Sequence, residues 1–296
     1  MFLSHKGAAL FVTIIIALFF SGCSLLKMLE QSARIRNAGS ISGSVVVTGV
    51  PQGTVIVMLY REVAGNPVLK NKVMANKKGE YRFYVAPGRF YLGAFVDLDK
   101  DGEYQHNEHG RLYGAPDSVL VAGRESLKVG PITISGPVPS SFPDIKASED
   151  ISAIMKNIGK VTTMDDPMFT RENYSKGLWF PLDFIEQVGG GLFFLEEYHP
   201  DKVPVLFVHG VNGGPTDLQP LIAGLDRKKF QPWVLFYPSG FRLEMISAYL
   251  LQAVVSLEHK FHFKQLNVVA YSMGGLVTRS FVKKYRQQFP DVSQNL

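Results

Sequence analysis

Residues Asn267–Arg279 read NVVAYSMGGLVTR and carry the strongest indication of fold in the chain. The apolar start predicts a buried strand and the end predicts a helix. Between them Ser272 lies on a tight turn, with Ala270 two positions before it and Gly274 two positions after it. These two positions pass close together in such a turn, so only small side chains fit. Since the helix begins beside Ser272, its free N–H groups point at any negative charge that develops there.

An earlier stretch, PVLFVHGVNGGP at residues 204–215, begins with a continuous apolar run. Such a run is typical of a strand that is buried on both faces. A helix is predicted from Pro215 to Leu225, a strand over residues 231–240, and a helix from Leu243 to Leu257 before the strand that leads to Ser272. Strands that alternate with helices predict a parallel sheet with right-handed crossovers.

These two motifs together resemble the lipase and esterase branch of the α/β-hydrolases. The stretch AYSMGG is similar to the family's nucleophile elbow, G-x-S-x-G, with Ala270 in place of the first glycine. The resemblance implies ester hydrolysis through an acyl-enzyme on Ser272. It also implies that the backbone N–H groups of Met273 and Val211 form the oxyanion hole, and that His209 supports the loop without acting as the base. Catalysis of this kind requires no cofactor.

The general base is missing from the expected place. In the family the triad follows the order Ser, Asp or Glu, then His along the chain. After Ser272 the sequence holds one acidic residue, Asp291, and no histidine. His259 and His262 are predicted to lie on the surface at the opposite edge of the sheet. We therefore expect a C-terminally truncated hydrolase that is inactive or nearly so, whose elbow strand would be an unpaired edge.

The N-terminus is typical of a targeting segment. An apolar run of residues 8–20, too short for a stable span, is followed by Ser21-Gly22-Cys23. This resembles the lipobox of bacterial lipoproteins, which implies a signal peptide over residues 1–22, a palmitate-type lipid on Cys23 and sorting of the chain to the outer membrane. An ordinary signal peptide or an uncleaved anchor is the alternative. As Cys23 is the sole cysteine, no intramolecular disulfide can form.

The remaining chain divides by composition. Residues 23–40 are predicted to be a tether, and residues 41–135 hold six short runs of β-branched and aromatic residues separated by turns. They predict an antiparallel β-sandwich, similar to transthyretin-like or carboxypeptidase-regulatory-like modules. Residues 136–200 are predicted to be a linker with one amphipathic helix, and residues 201–296 a partial α/β-hydrolase domain.

One loop of the predicted sandwich has the spacing of a calcium-binding loop. The stretch DLDKDGEYQHNE, residues 97–108, fits D-x-[DN]-x-[DN]-G-x₅-E. Hard Ca²⁺ prefers such oxygen-rich loops. A solvated acidic turn between two strands is the alternative. The predicted metal ligands are Asp97, Asp99, Asp101, Glu103 and Glu108.

Charge excludes one class of partner. The net charge is only +5, and no dense basic stripe with interleaved aromatic residues occurs, so nucleic-acid binding is not expected. The sequence as a whole predicts an outer-membrane lipoprotein that carries a serine hydrolase segment for a small-molecule or lipid ester. The competing hypothesis is a non-catalytic lipoprotein that binds a partner through its sandwich and retains a vestigial hydrolase segment.

Overall fold

The computed structural model describes residues 24–63, 66–105, 107–114, 118–137 and 153–289. The predicted signal peptide, Cys23 and Asp291 lie outside the described residues. No helix in these ranges is long and apolar enough to span a bilayer.

The predicted tether begins as a helix. Residues 24–36 form helix α1, and β1 begins at Gly39, inside the range expected to be flexible. Ile35 and Ala38 are buried, as is the polar side chain of Gln31. The sequence-based prediction overlooked α1 because most of its residues are polar or small and its buried positions are few.

The N-terminal unit is a β-sandwich of two sheets. Its strands are β1 (Gly39–Val47), β2 (Thr54–Val63), β3 (Asn66–Met74), β4 (Glu80–Val85), β5 (Gly88–Asp97), β6 (His109–Tyr113), β7 (Val119–Val121), β8 (Ser126–Lys128) and β9 (Ile132–Ile134). One sheet has the order β4-β1-β8, with β9 also on β1, and the other has the order β3-β2-β5-β6, with β7 also on β5. Apolar side chains of both sheets form a common core between them.

The sequence predicted an antiparallel sandwich, but the observed sandwich also contains parallel strand pairs. β1 pairs antiparallel with β4 but parallel with β8 and β9. The parallel pairs arise because β8 and β9 return to β1 after the whole second sheet has been built. β3, β6 and β8 were not predicted, since they are rich in polar residues and two of them are short.

The C-terminal unit is a five-stranded sheet covered by helices on both faces. Its elements are α2 (Ala153–Lys156), β10 (Lys160–Val161), α3 (Arg171–Trp179), α4 (Pro181–Gln187), β11 (Gly191–Phe194), β12 (Val203–Val208), a 3₁₀ turn (Pro215–Leu218), α5 (Gln219–Ala223), β13 (Phe230–Phe236), α6 (Leu243–Phe261), β14 (Asn267–Ala270) and α7 (Met273–Gln288). The strand order is β10-β11-β13-β12-β14. β12 is parallel to both β13 and β14, and β11 is antiparallel to β13.

Most of the predicted linker belongs to this sheet unit. β10 and β11 are strands of the sheet, and α3 and α4 cover one of its faces. There Phe236 of β13 meets the rings of Phe169, Tyr174 and Phe184 edge-on, at centroid distances of 5.3, 5.7 and 4.9 Å. The hydrolase-like unit therefore begins by Lys160 and not at residue 201.

Candidate active site

Ser272 lies in a strained backbone conformation between β14 and α7. Its φ is +51° and its ψ is −122°. A residue with a side chain rarely adopts a positive φ, and such strain is concentrated at functional sites. The side chain is exposed, and among the described residues its Oγ has no hydrogen-bond partner. The turn therefore presents an unengaged hydroxyl at the carboxyl end of β14.

The prediction that only a small residue fits two positions after Ser272 agrees with the packing around Gly274. A Cβ atom at this position would overlap the carbonyl oxygen of Val208 and would stand 2.6 Å from that of His209. The first turn of α7 therefore lies directly on the end of β12. Such a close approach requires glycine.

The structure brings the two sequence motifs together. A Cβ atom on Gly210 would stand 3.0 Å from Cβ of Ser272 and 3.3 Å from the carbonyl oxygen of Tyr271. In addition, the Tyr271 N–H donates to the carbonyl of Val208 at 3.0 Å. The loop that follows β12 thus lies against the serine turn.

Both predicted oxyanion donors are available for a ligand. Met273 is the first residue of α7, where N–H groups have no partner within the helix. Val211 follows Gly210 in the adjacent loop, and it is 52% exposed. In the described part of the chain, neither the Met273 N–H nor the Val211 N–H donates to a protein acceptor. By contrast, the N–H groups of Gly274 and Gly275, which follow Met273 in α7, donate to backbone carbonyls. Two free donors beside an exposed hydroxyl are suited to a developing oxyanion.

The loop after β12 is held by side chains from three other elements. Asn212 has a φ of +52°, and its N–H donates to Oγ of Ser239 at 3.1 Å. Asp217 accepts from the N–H of Gly214 at 3.0 Å and closes the loop at the start of the 3₁₀ turn. The exposed guanidinium of Arg171 lies 2.7 Å from the other oxygen of Asp217. These contacts fix the backbone around Val211.

A tyrosine from α3 also supports this loop. The hydroxyl of Tyr174 shares a 2.6 Å hydrogen bond with Oγ1 of Thr216. Its ring is packed so closely on Gly214 that a Cβ atom there would overlap it. No sequence pattern pointed to Tyr174 or Ser239, because each lies far along the chain from the loop. Asp217 follows Gly-Pro-Thr at a helix-capping position, a pattern that could have been recognised.

His209 is a structural histidine. It is fully buried, and its ring stacks on Tyr237 at 4.1 Å. Nδ1 donates to the carbonyl of Gly210 at 2.8 Å, while Nε2 accepts from the N–H of Tyr237 at 3.3 Å. Burial lowers the pKa of His209 to about 4, so the ring is neutral at pH 7. With both nitrogens engaged, it supports the loop and is not available as a base.

The other described histidines lie away from Ser272. His199 precedes β12, at the edge of the sheet opposite the serine turn, and His109 belongs to the sandwich. His259 and His262 lie at the end of α6, before β14 begins. The sequence predicted both of these at the surface, but His259 is largely buried between the two units, with Nε2 3.9 Å from Asp97. No histidine in the described ranges reaches Ser272 as a base.

The acidic loop brings three of its five predicted ligands together. Oxygens of Asp97, Asp99 and Glu108 lie within 4.8 Å of one another, and Asp97 and Glu108 are buried. Burial raises the pKa of both carboxyl groups. Asp101 instead accepts from the N–H of Glu103 at 2.7 Å and from the side chain of Gln105 at 2.6 Å.

Glu103 points away from this cluster. Its carboxylate pairs with Nζ of Lys72 on β3 at 2.5 Å. The sequence expected only its carbonyl oxygen to be a ligand, and the side-chain contact leaves that oxygen unaffected. The calcium site stays a prediction, with Asp97, Asp99 and Glu108 as its best-placed side chains.

Comparison with known families gives a match in the C-terminal unit. Residues 242–296 match a family described as an alpha/beta hydrolase of unknown function, DUF915. The match covers α6, β14 and α7, and thus includes Ser272. No curated protein sequence matches the chain.

Among solved structures the similarities are low. A DUF3823 family protein from Parabacteroides merdae is 15% identical over 33% of this chain and 46% of its own, with a TM-score of 0.21. A 9R-lipoxygenase from Cyanothece is 13% identical over 63% of this chain and 31% of its own, with a TM-score of 0.22. An (S)-allantoin synthase is 12% identical over 35% of this chain and 44% of its own, also with a TM-score of 0.22. The chain spans less than half the length of each, and these scores are too low to assign a fold.

Proposed function

We propose that the C-terminal unit is a serine ester hydrolase domain with Ser272 as its nucleophile. The observation that carries this proposal is the strained backbone of Ser272, whose φ of +51° exposes the hydroxyl at the start of α7. Maintaining such strain costs about 1–3 kcal/mol, and residues strained in this way are concentrated at functional sites. The family match over residues 242–296 supports an α/β-hydrolase origin for this segment.

The chemistry follows from the groups around Ser272. Its Oγ attacks the carbonyl carbon of an ester while its proton passes to a general base. The oxyanion accepts hydrogen bonds from the N–H groups of Met273 and Val211. When the tetrahedral intermediate collapses, the C–O bond to the alcohol breaks and the base returns the proton to the leaving alcohol. Water then attacks the acyl-enzyme by the same route and releases the acid.

The base and its acidic partner are proposed to come from outside the described residues. His209 is excluded by its two hydrogen bonds, and the other described histidines lie too far away. β14 is the last strand of the described sheet, and Ala270 at its end is exposed. A further strand on this edge would cover it and would bring its own carboxyl end beside Ser272.

The substrate is proposed to be a lipid or small-molecule ester, reached from a lipid anchor on Cys23 in the bacterial outer membrane. No cofactor is needed for this reaction. The second candidate, a non-catalytic binding lipoprotein, is favoured by one observation: the described residues place no base beside Ser272. The two candidates differ in whether the whole reading frame encodes a working triad.

Ester hydrolysis by the product of the whole reading frame tests the proposal. We expect hydrolysis of a p-nitrophenyl ester that falls at least about a thousandfold in Ser272→Ala. The matched control is Ser280→Ala, on the same helix, whose hydroxyl bonds to Oγ of Ser247 at 2.9 Å. A folded wild-type product without esterase activity would favour the binding lipoprotein. Activity that survives Ser272→Ala would exclude Ser272 as the nucleophile.

A further inference from the structure

Helix α1 has two opposite faces of different character. Successive residues of an α-helix are rotated by about 100°, so Lys27, Gln31 and Ile35 share one face. By the same rotation Leu25, Leu26 and Leu29 share the opposite face. The first face is directed at the protein. The three leucines are 53%, 68% and 50% exposed.

The inward face is fixed to the hydrolase-like unit. The side-chain amide of Gln31 donates to Asp183 at 2.7 Å and accepts from the N–H of Leu182 at 3.0 Å. Nζ of Lys27 lies 2.6 Å from the other oxygen of Asp183. Gln31 is 4% exposed, so its two hydrogen bonds are partly shielded from water and hold α1 in one orientation.

The end of α1 is fixed to the sandwich as well. The N–H of Arg124 donates to the carbonyl of Asn37 at 2.9 Å, and its side chain donates to the carbonyl of Arg36 at 3.2 Å. The exposed leucines therefore belong to a helix that is fixed to both units by hydrogen bonds. Three neighbouring leucines that are each half or more exposed favour a partner for this face.

Charge and chain order indicate which partner fits. Residues 24–36 hold Lys27, Arg34 and Arg36 against Glu30, a net charge of +2. Lys27 is paired with Asp183 on the inward face, and at 100° per residue Arg36 is the basic residue on the leucine face. A basic residue beside an apolar face favours an anionic lipid surface. In the sequence the helix also follows Cys23 directly, and the apolar run of residues 8–20 lies just before it. Whether the chain is lipidated at Cys23 or anchored by that run, the membrane is brought to the leucine face.

We propose that Leu25, Leu26 and Leu29 insert into the headgroup region of a membrane, so that α1 seats the protein on the lipid surface. The contacts at Asp183 and Arg124 then hold both units in one orientation relative to the membrane. This inference goes beyond the proposed hydrolase and does not depend on Ser272. It also differs from the lipid anchor alone, which would tether the protein without orienting it.

Site-specific fluorescence on the full chain tests the proposal. Leu26→Cys and Leu29→Cys are each labelled with an environment-sensitive fluorophore in vesicles of phosphatidylethanolamine and phosphatidylglycerol. The control is Leu120→Cys on β7, at a residue that is 57% exposed in the structure. The chain without an added cysteine measures any background from Cys23. Bilayer-embedded quenchers then report the depth of each label.

We expect quenching at positions 26 and 29 about twofold or more above that at position 120, since an interfacial helix lies about 5–10 Å into the headgroup boundary. Replacing phosphatidylglycerol by a neutral lipid should reduce the quenching at positions 26 and 29. Equal quenching at all three positions, or failure of the chain to bind vesicles, would overturn the proposal. Cross-linking between copies through position 26, without lipid quenching, would also overturn it and would assign the leucine face to a dimer.

Discussion

At Gly274 the fold leaves no room for a methyl group. Because a Cβ atom would overlap the carbonyl of Val208, Gly274→Ala should lower the free energy of unfolding by about 1–3 kcal/mol. The measurement is urea unfolding followed by circular dichroism. Gly275→Ala is the matched control, since no atom lies within 4 Å of its Cβ position. That variant should be neutral or more stable, as alanine favours a helix. Equal effects at both positions would contradict the close approach of α7 to β12.

The buried His209 predicts an acid-sensitive fold. Its pKa is lowered by burial to about 4, whereas an unfolded histidine titrates near 6.5. The unfolded state therefore binds more protons below pH 6.5, and stability falls as the pH drops from 6.5 towards 4. His209 alone should contribute a loss of about 2–3 kcal/mol between pH 7 and pH 4.5.

This loss is measured as the free energy of unfolding at the two pH values. His209→Gln should be less stable at pH 7 but should show a smaller change with pH than the wild type. His199→Gln, at a histidine whose side chain is 54% exposed, is the control and should keep the wild-type change. An equal pH dependence in His209→Gln and the wild type would show that His209 is not held neutral.

At the scale of elements, the acidic loop between β5 and β6 is predicted to bind Ca²⁺, and this prediction is independent of the proposed hydrolase. If Ca²⁺ binds Asp97, Asp99 and Glu108 with a Kd of ~1 mM, ten times that concentration should stabilise the protein by about 1.4 kcal/mol. Thermal unfolding with Ca²⁺ and with Mg²⁺ measures this. Asp99→Asn should remove the effect. Asp101→Asn should largely keep it, because Asp101 is not one of the three residues whose carboxylate oxygens lie within 4.8 Å of one another. Absence of a Ca²⁺ effect in the wild type would favour the solvated acidic turn.

Elements with long apolar runs were predicted from the sequence, and those with interrupted patterns were not. Four elements lie close to their predicted positions, because each has either a helical period of apolar residues or a continuous apolar run: β12, β14, α6 and α7. α3 and α4 were missed because Gly177 and Pro181 interrupt their pattern. Their stability comes from Tyr174 and Phe184, which pack on Phe236 about fifty or more residues away along the chain.

The candidate site shows the same division. The serine, its small neighbours and the adjacent glycine loop are local patterns, and a sequence displays them directly. The groups that fix the loop are not local: Ser239 holds Asn212, and Tyr174 packs on Gly214. The burial of His259 against Asp97 depends on how the two units meet, which no local pattern encodes.

At the scale of the whole molecule, the chain is a sandwich and a hydrolase-like unit joined by buried contacts. α1 bonds to both units, and α6 packs on β3 of the sandwich. The proposed nucleophile and oxyanion donors, a hydroxyl and two free N–H groups, lie together at the carboxyl ends of β12 and β14. Among the described residues no base lies beside this group, and Ala270 at the end of β14 is exposed there.

The most direct test is to react the product of the whole reading frame with a fluorophosphonate and to locate the adduct by mass spectrometry. The proposed function predicts a single phosphonylated peptide that contains Ser272, and no adduct in Ser272→Ala. An adduct on a different residue, or esterase activity that persists without any adduct on Ser272, would contradict it.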